Sequence, residues 1–162
     1  MALSKSTLVD AMQRLLDASP STAADAAVQW ANAYAGYAAA ATSTAASLPV
    51  NASANAAILV GGFQAGLAAL VPASAGALVA QAVVAFWQAI AWVGPTASGA
   101  TAFPGNAGLA AALAAVFSDL GRKSTSDKAN ELADAFAAGA RAVIVAEVPF
   151  SPPTTPIVGP IQ

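Results

Sequence analysis

The side chains best spaced for acid–base chemistry or for binding a cation lie on one predicted helix near the C-terminal end of the chain. Asp127, Glu131 and Asp134 are four and three residues apart, which places the three carboxylates on one helix face. Such a face suits a divalent cation or an acid–base pair. Lys128 and Arg141 flank it, however, and charges along one side of an amphipathic helix usually face solvent. We therefore predict a solvated face here, with neither a catalytic nor a metal site.

The remaining chemical inventory of the sequence is small. The 162 residues contain no Cys and no His, which removes thiol nucleophiles, Cys/His metal sites and imidazole bases. The glycine-rich segment Gly61–Gly66 follows an Ala-rich stretch rather than a clear strand, and no Lys-Ser/Thr comes after it. It therefore does not fit a phosphate-binding loop, and we interpret its glycines as places where a neighbouring helix comes close. We expect no enzyme activity and no cofactor.

The composition points to a protein whose surface is covered by partners. Apolar residues make up 57% of the chain and charged residues 9%, against roughly 25% charged residues in a typical soluble domain. No charged residue occurs between Asp25 and Asp119. The net charge of −2 gives no electrostatic basis for binding nucleic acid. We expect other protein subunits to cover the uncharged segment.

Proline and glycine breaks divide most of the chain into Ala-rich helices, so the predicted fold class is all-α, a bundle of about five to six helices over residues 1–148. Thr22 with Asp25, and Ser124 with Asp127, predict capped helix starts. The β-branched run that follows Arg141 is ambiguous between helix and strand, and we favour helix to about Val145. The predicted helices lie near residues 5–16, 21–41, 54–71, 76–92, 107–120 and 124–145, with a loop over 94–106.

The last residues predict a separate segment. Five prolines within 149–162 exclude a regular helix, and the segment ends in apolar rather than polar residues. We predict an extended Pro-rich C-terminal arm that lies on a neighbouring subunit. Trp87 and Trp92, near the end of the predicted helix over 76–92, are candidates either for the core or for an interface, since large aromatic rings dominate both. The candidate interface residues are Trp87, Trp92, Phe150, Ile157, Val158 and Ile161.

The overall pattern resembles small virion proteins of tailed bacteriophages, such as neck, tail or baseplate components. The resemblance lies in the Ala-rich, aromatic-dotted helix Gln29–Ala38, the helix that holds Phe86-Trp87, the loop Phe103–Asn106 and the terminal run Val148–Gln162. It implies a non-enzymatic structural subunit, assembled in the host cytoplasm into the virion. Its partners would be copies of itself and other virion proteins, joined partly by extended arms.

The alternative is a small membrane-active protein, holin-like or pore-forming. Residues 54–71 and 75–93 are both uncharged and apolar, and a turn at Pro72 would join them as a hairpin. Against this, the first run falls short of the about 20 residues that a spanning helix needs, Gln64, Gln81 and Gln88 interrupt the runs, and no basic cluster flanks them. Membrane contact is therefore the less favoured interpretation.

Overall fold

A computed structural model describes residues 3–94, 97–150 and 155–162. Within these ranges the chain is mostly helical, and the expectation of six helices is met. It is not purely α-helical, because five short strands form an antiparallel sheet. The helices are α1 Lys5–Ala18, α2 Ala23–Ala38, α3 Ala56–Ala68, α4 Pro72–Gln88, α5 Asn106–Ser118 and α6 Thr125–Arg141. The strands are β1 Leu48–Pro49, β2 Trp92–Val93, β3 Ala97–Ala102, β4 Ile144–Pro149 and β5 Ile157–Pro160.

The six helices form a closed ring. Each helix packs against the next one along the chain, and α6 packs against α1. An ion pair of 2.6 Å between Lys5 and Asp134 joins α1 to α6 at the surface, where such a pair contributes little. The stability of the ring therefore comes mainly from what its helices bury inside.

Local sequence signals set several of the helix ends. The backbone N–H of Asp25 donates to the Thr22 hydroxyl, and that of Asp127 donates to Ser124, so both predicted caps are confirmed. Pro72 occupies the first turn of α4, a position where its missing N–H costs nothing. Asn55 precedes α3 without capping it. Its side chain donates instead to the carbonyl of Ala89 at the end of α4.

Five aromatic rings from four helices meet inside the ring. Trp30 packs edge-on against Phe63 and Phe136, with ring centroids 6.4 and 6.5 Å apart. Tyr34, one turn further along α2, contacts Phe86 and Phe136 at 5.7 and 5.1 Å. All five side chains are buried. Edge-on and tilted aromatic pairs of this kind add about 0.5–1.5 kcal/mol each beyond the burial of their area.

Two tryptophans connect this aromatic core to the sheet. The indole N–H of Trp87 in α4 donates to the Tyr34 hydroxyl at 2.8 Å. The Trp87 ring also stacks on Trp92 of β2, with centroids 6.2 Å apart and planes 7° from parallel. The Trp92 N–H in turn donates to the hydroxyl of Thr101 in β3 at 2.8 Å. Burial raises the pKa of the Tyr34 hydroxyl far above its ordinary range, so this oxygen remains a neutral acceptor.

The sheet corrects two predictions about secondary structure. Its order follows the sequence, β1-β2-β3-β4-β5, and all neighbours are antiparallel. Helix α6 ends at Arg141, and the β-branched run after it forms β4 instead of continuing the helix. The predicted loop over 94–106 contains β3, which pairs with β4 from Ala97↔Pro149 to Ala102↔Ile144. Side chains that are branched at Cβ favour a strand over a helix when a neighbouring strand, here β3, is there to pair with.

The predicted C-terminal arm is part of the same sheet. Its described end forms β5, which pairs with β4 of the same chain from Ile144↔Pro160 to Glu147↔Ile157. Ile161 then packs into the core. The sheet therefore crosses the expected boundary between residues 148 and 149, and Ile157–Pro160 pairs within its own chain. Residues 151–154 of the arm lie outside the described part of the chain.

A loop of residues 42–47 crosses along the inward side of the sheet. It begins at the β5 edge, where Thr42 and Gln162 exchange two backbone hydrogen bonds of 3.0 and 2.8 Å. It ends at Ser47, which leads into β1. Two glycines make room for this crossing loop, because a Cβ at Gly159 would collide with Thr44 and one at Gly94 would collide with Ser47.

Helix α3 approaches α4 closely through two of the three glycines predicted to serve this purpose. A Cβ on Gly62 would collide with Ala82, and one on Gly66 would lie 2.5 Å from a methyl group of Val79. Gly61, in contrast, faces open space, with nothing within 4 Å of an added Cβ. The adjacent glycines therefore have different roles, and the close approach needs Gly62.

This difference gives a matched pair of substitutions. We expect Gly62→Ala to lower the free energy of unfolding by about 1–3 kcal/mol, because the added methyl overpacks the contact with α4. Gly61→Ala should leave stability unchanged or raise it by up to about 1 kcal/mol through helix propensity. Urea unfolding of both variants measures the difference, and equal effects would show that α3 and α4 are not in close contact.

A second pair tests the hydrogen bond that holds Trp87. Tyr34→Phe leaves the buried indole N–H without its acceptor, so we expect a loss of about 1–3 kcal/mol. Tyr37→Phe is the control, since the buried Tyr37 hydroxyl has no hydrogen-bond partner among the described residues. That control should be neutral or slightly stabilising. If both variants unfold at the same urea concentration as the wild type, the Trp87–Tyr34 bond contributes nothing.

Candidate interaction surface

One face of the sheet points away from the helices and is apolar. We call it the outer sheet face. Its side chains belong to alternate residues of the strands, because the residues between them point inward. All of them are exposed except Ile144, which is half-buried. Cross-strand partners such as Leu48 and Val93, or Ala146 and Val158, share this face. Its described side chains are those of Leu48, Val93, Ala100, Ala102, Ile144, Ala146, Val148, Val158 and Pro160.

Both faces of the sheet therefore have apolar side chains. In β4 the inward side chain of Val145 is buried, while the outward Ala146 and Val148 are exposed. An antiparallel sheet with one solvated face normally alternates apolar residues with polar ones. A strand that is apolar on both sides is typical of a sheet that is covered on both sides. The outer sheet face thus has the composition of an interface.

The β5 edge of the sheet is protected against strand addition at Pro160, while Val158 keeps an outward N–H and C=O. The N–H of Ile161 donates to the carbonyl of Val143, on the β4 side of the strand. Backbone groups alternate between the two sides of a strand, so those of Val158 and Pro160 point to the open side. Pro160 has no N–H to offer, and its carbonyl accepts the Thr44 hydroxyl at 3.1 Å. Proline at an edge is a recognised protection against pairing with another chain.

The β1 edge is protected in the same way. The N–H of Val50 donates to the carbonyl of Ala91 at 3.1 Å. The backbone groups of Leu48, two residues earlier, therefore also point towards β2, and those of Pro49 between them point outward. Pro49 cannot donate a hydrogen bond from that position. Because proline interrupts both edges, the outer sheet face offers a partner more contact than the edges do.

Charged residues are confined to other parts of the described structure. They lie on α1, on the first turn of α2, and between Asp119 and Arg141 at the end of α5 and on α6. The one charged residue of the strands, Glu147, points inward and is buried. Helices α3, α4 and α5 contain none. Charge is therefore distributed unevenly over the described structure. It is concentrated around α1 and α6 and is absent from the described side chains of the outer sheet face.

The predicted interface residues divide into a buried and an exposed group. Trp87, Trp92 and Ile161 are 0%, 2% and 3% exposed and belong to the core of this chain. For the tryptophans, the structure thus selects the core alternative. Val158 and Phe150, in contrast, are 61% and 64% exposed.

The exposed group continues the outer sheet face. Val158 is part of it, and Phe150 follows the outward residues of β4 by two positions. Ile157 is 39% exposed at the start of β5, but it pairs with the inward Glu147 and so lies on the other face of the sheet. Leu48, Val93 and Val148 are further exposed apolar residues that the sequence did not predict. The β-branched run after Arg141 was the signal that predicts the strand β4, whereas nothing local predicts two-residue strands.

The predicted acidic face of α6 forms ion pairs. Glu131 lies 2.6 Å from the ammonium group of Lys123, and Asp119 lies 3.2 Å from the same group. Hydrogen bonds to Glu131 and then to Asp119 raise the pKa of Lys123. Lys123, Glu131 and Asp134 border a hollow of about 430 Å³ between α5 and α6, which is otherwise lined mainly by alanines. Lys123 pairs with Glu131, and Asp134 pairs with Lys5 of α1, so each charged group of the hollow already has a partner.

A small polar cluster lies beneath the sheet. Glu147 accepts a hydrogen bond of 3.2 Å from the backbone N–H of Ala45 in the crossing loop. In the same loop, the Ser43 hydroxyl accepts from the N–H of Ser47 at 2.9 Å. Ser43, Ser47 and Glu147 are the buried polar residues of the described chain. One Glu147 oxygen holds the loop under β4, whereas the other oxygen and the Ser47 hydroxyl have no hydrogen-bond partner among the described residues.

No protein-family model, curated protein or solved structure matches this chain. In the part of the chain that the structure describes, no helix combines the length and the apolar character that crossing a membrane requires. Nor does any group of three or more acidic side chains within the described ranges come together as a metal site.

The role of Glu147 is open to direct measurement. We expect Glu147→Ala to lower the free energy of unfolding by about 0.5–1.5 kcal/mol, because the partly buried Ala45 N–H loses its acceptor. Glu147→Gln keeps an oxygen that can accept this bond, so its loss should be the smaller one. Chemical unfolding of both variants tests the assignment, and a larger loss for Gln than for Ala would contradict it.

Proposed function

We propose that this chain is a non-enzymatic structural subunit of a tailed-phage particle. It assembles in the host cytoplasm and packs against copies of itself and other virion proteins through uncharged surfaces. The observation that carries the proposal is the outer sheet face, an apolar surface on a sheet whose other face is already buried. A surface of this kind marks a protein interaction site.

The distribution of charge supports a structural role. The charges around α1 and α6 give the molecule one side suited to water, while α3, α4, α5 and the outer sheet face have none. Like-charged copies repel one another least through an uncharged side. With neither His nor Cys in the chain, and with Lys123 paired to Glu131, the side chains at hand favour packing over catalysis.

The assignment to a phage particle is supported by the resemblance in sequence. The Ala-rich helix Gln29–Ala38 supplies Trp30 and Tyr34 to the aromatic core, and the helix with Phe86-Trp87 supplies two more rings. The terminal run, in contrast, contributes β5 to its own sheet. The proposed contact between subunits is therefore the outer sheet face, with Phe150 at its margin, instead of an arm that reaches across.

The proposal predicts where the protein is found. We expect mass spectrometry of particles purified from the phage or lysogen that encodes this chain to detect it at a fixed copy number. We also expect it to remain attached in 1 M NaCl, because salt screens charge pairs but does not weaken apolar contacts. A soluble protein of the same lysate, added in excess before purification, controls for adsorption. Absence from the particles would refute the proposed function.

A further inference from the structure

We propose that residues 42–47 and 157–162 form a latch, which opens as one unit while the ring of helices stays folded. The latch consists of the crossing loop and of β5 with the two residues that follow it. Its opening would leave β4 as the edge of the sheet. This motion is a property of the single subunit and does not depend on the proposed function.

The two halves of the latch hold each other in place. Thr42 and Gln162 exchange backbone hydrogen bonds of 3.0 and 2.8 Å, and the Thr44 hydroxyl donates to the carbonyl of Pro160 at 3.1 Å. Thr44 also fills the space beside Gly159, where an added Cβ would collide with it. The crossing loop loses all of these contacts when β5 leaves the sheet, so we expect the two halves to open together.

Few apolar contacts hold the latch closed on its β5 side. β5 is an edge strand with β4 as its neighbour in the sheet, and Ile157 and Val158 are 39% and 61% exposed. Ile161 is the large side chain of this half that is buried. The other attachments are hydrogen bonds, which contribute little net stability because water replaces them when they break. Segments of this kind open at a lower free energy than the core does.

The crossing loop is strained in its closed position. Ala46 has a φ of 63°, a left-handed conformation that is unfavourable for a residue with a Cβ. The Ser47 hydroxyl and one Glu147 oxygen are buried without a hydrogen-bond partner among the described residues, and both would be solvated when the loop moves away. Opening therefore relieves a strained backbone and supplies two polar groups with solvent.

Opening changes which part of the sheet can pair with another strand. In the closed sheet, proline interrupts both edge strands. The N–H of Ile161 donates to the carbonyl of Val143. The backbone groups of Val145 and Glu147 therefore also point towards β5, and no proline lies within residues 143–148. The open latch would thus expose a row of unpaired N–H and C=O groups, the kind of edge to which strands add.

Hydrogen exchange of the full chain under native conditions, followed by NMR, measures this opening. We expect the amides of Thr42 and Gln162 to share one degree of protection, at least about 100-fold below that of Tyr34 in α2. Within β4, Val145 should exchange together with the latch. Ala146, whose backbone groups point towards β3, should remain protected.

A matched pair of core substitutions tests whether the two halves open together. Ile161 in the latch and Ile90 before β2 are 3% and 4% exposed, so removal of one methylene leaves a small cavity at either site. Ile161→Val should raise the exchange rate of the Ala45 amide about two- to tenfold, although this amide bonds to Glu147 and not to β5. Ile90→Val should lower the protection of Tyr34 and leave the latch amides unchanged, because Ile90 stays buried when the latch opens.

Relief of strain provides a second measurement in the opposite direction. Ala46→Gly removes the Cβ that disfavours a φ of 63°, so it should slow exchange at both Ala45 and Gln162 by up to about tenfold. Ala39→Gly is the control, because Ala39 has an ordinary helical φ of −62° and gains nothing from glycine. Circular dichroism checks that all four variants keep their helices.

Each outcome supports or overturns the latch. If Ile161→Val accelerates exchange at Gln162 but not at Ala45, the two halves open separately and the proposal fails. It fails equally if the latch amides are as protected as Tyr34, because opening then requires unfolding of the helix ring. Faster exchange at Ala45 after Ala46→Gly would refute the strain assigned to the closed loop.

Discussion

The pair formed by Trp87 and Trp92 is the contact on which the arrangement of this protein depends. Trp87 belongs to the helix ring and gives its indole N–H to Tyr34. Trp92 belongs to the sheet and stacks on Trp87 in parallel planes. The stack fixes which side of the sheet faces the helices. Because side chains alternate along a strand, it fixes at the same time which residues are left on the outside.

The inward side of the sheet meets both the helices and a stretch of backbone. Residues 42–47 pass beneath the strands, and their polar backbone needs partners that an apolar core cannot offer. Thr42 obtains them from Gln162 and Ala45 obtains one from Glu147. Gly94 and Gly159 leave the space that the loop fills. The only charged residue of the strands thus serves the interior, and the outer sheet face remains uncharged.

The sequence predicted the helices well because their signals are local. Thr22 and Ser124 cap helices with their own neighbours, and Pro72 separates α3 from α4 whatever the rest of the chain does. The sheet could not be predicted in this way. Residues 97–102 read Ala-Ser-Gly-Ala-Thr-Ala, a composition with little strand preference of its own, and they form β3 because β4 lies beside them.

The prolines after residue 148 correctly excluded a helix, but they are equally compatible with an extended arm and with an edge strand. Pairing partners distant in the sequence decided between the arm and the strand. For the same reason the candidate interface residues divide into two groups: Val158 and Phe150 are exposed, whereas Trp87 and Trp92 belong to the core.

The long uncharged part of the sequence serves two different purposes in the fold. Its aromatic residues and much of its alanine fill the ring, where charge would be costly to bury. The same lack of charge on Leu48, Val93 and Ala100 has no such reason, because these side chains are exposed and a polar residue there would cost the fold little. Proline interrupts both edges of this surface, so pairing with a further strand does not account for its apolar side chains. Contact through the face itself does, and for this reason we propose the outer sheet face, rather than the helix ring or the C-terminal segment, as the contact between subunits.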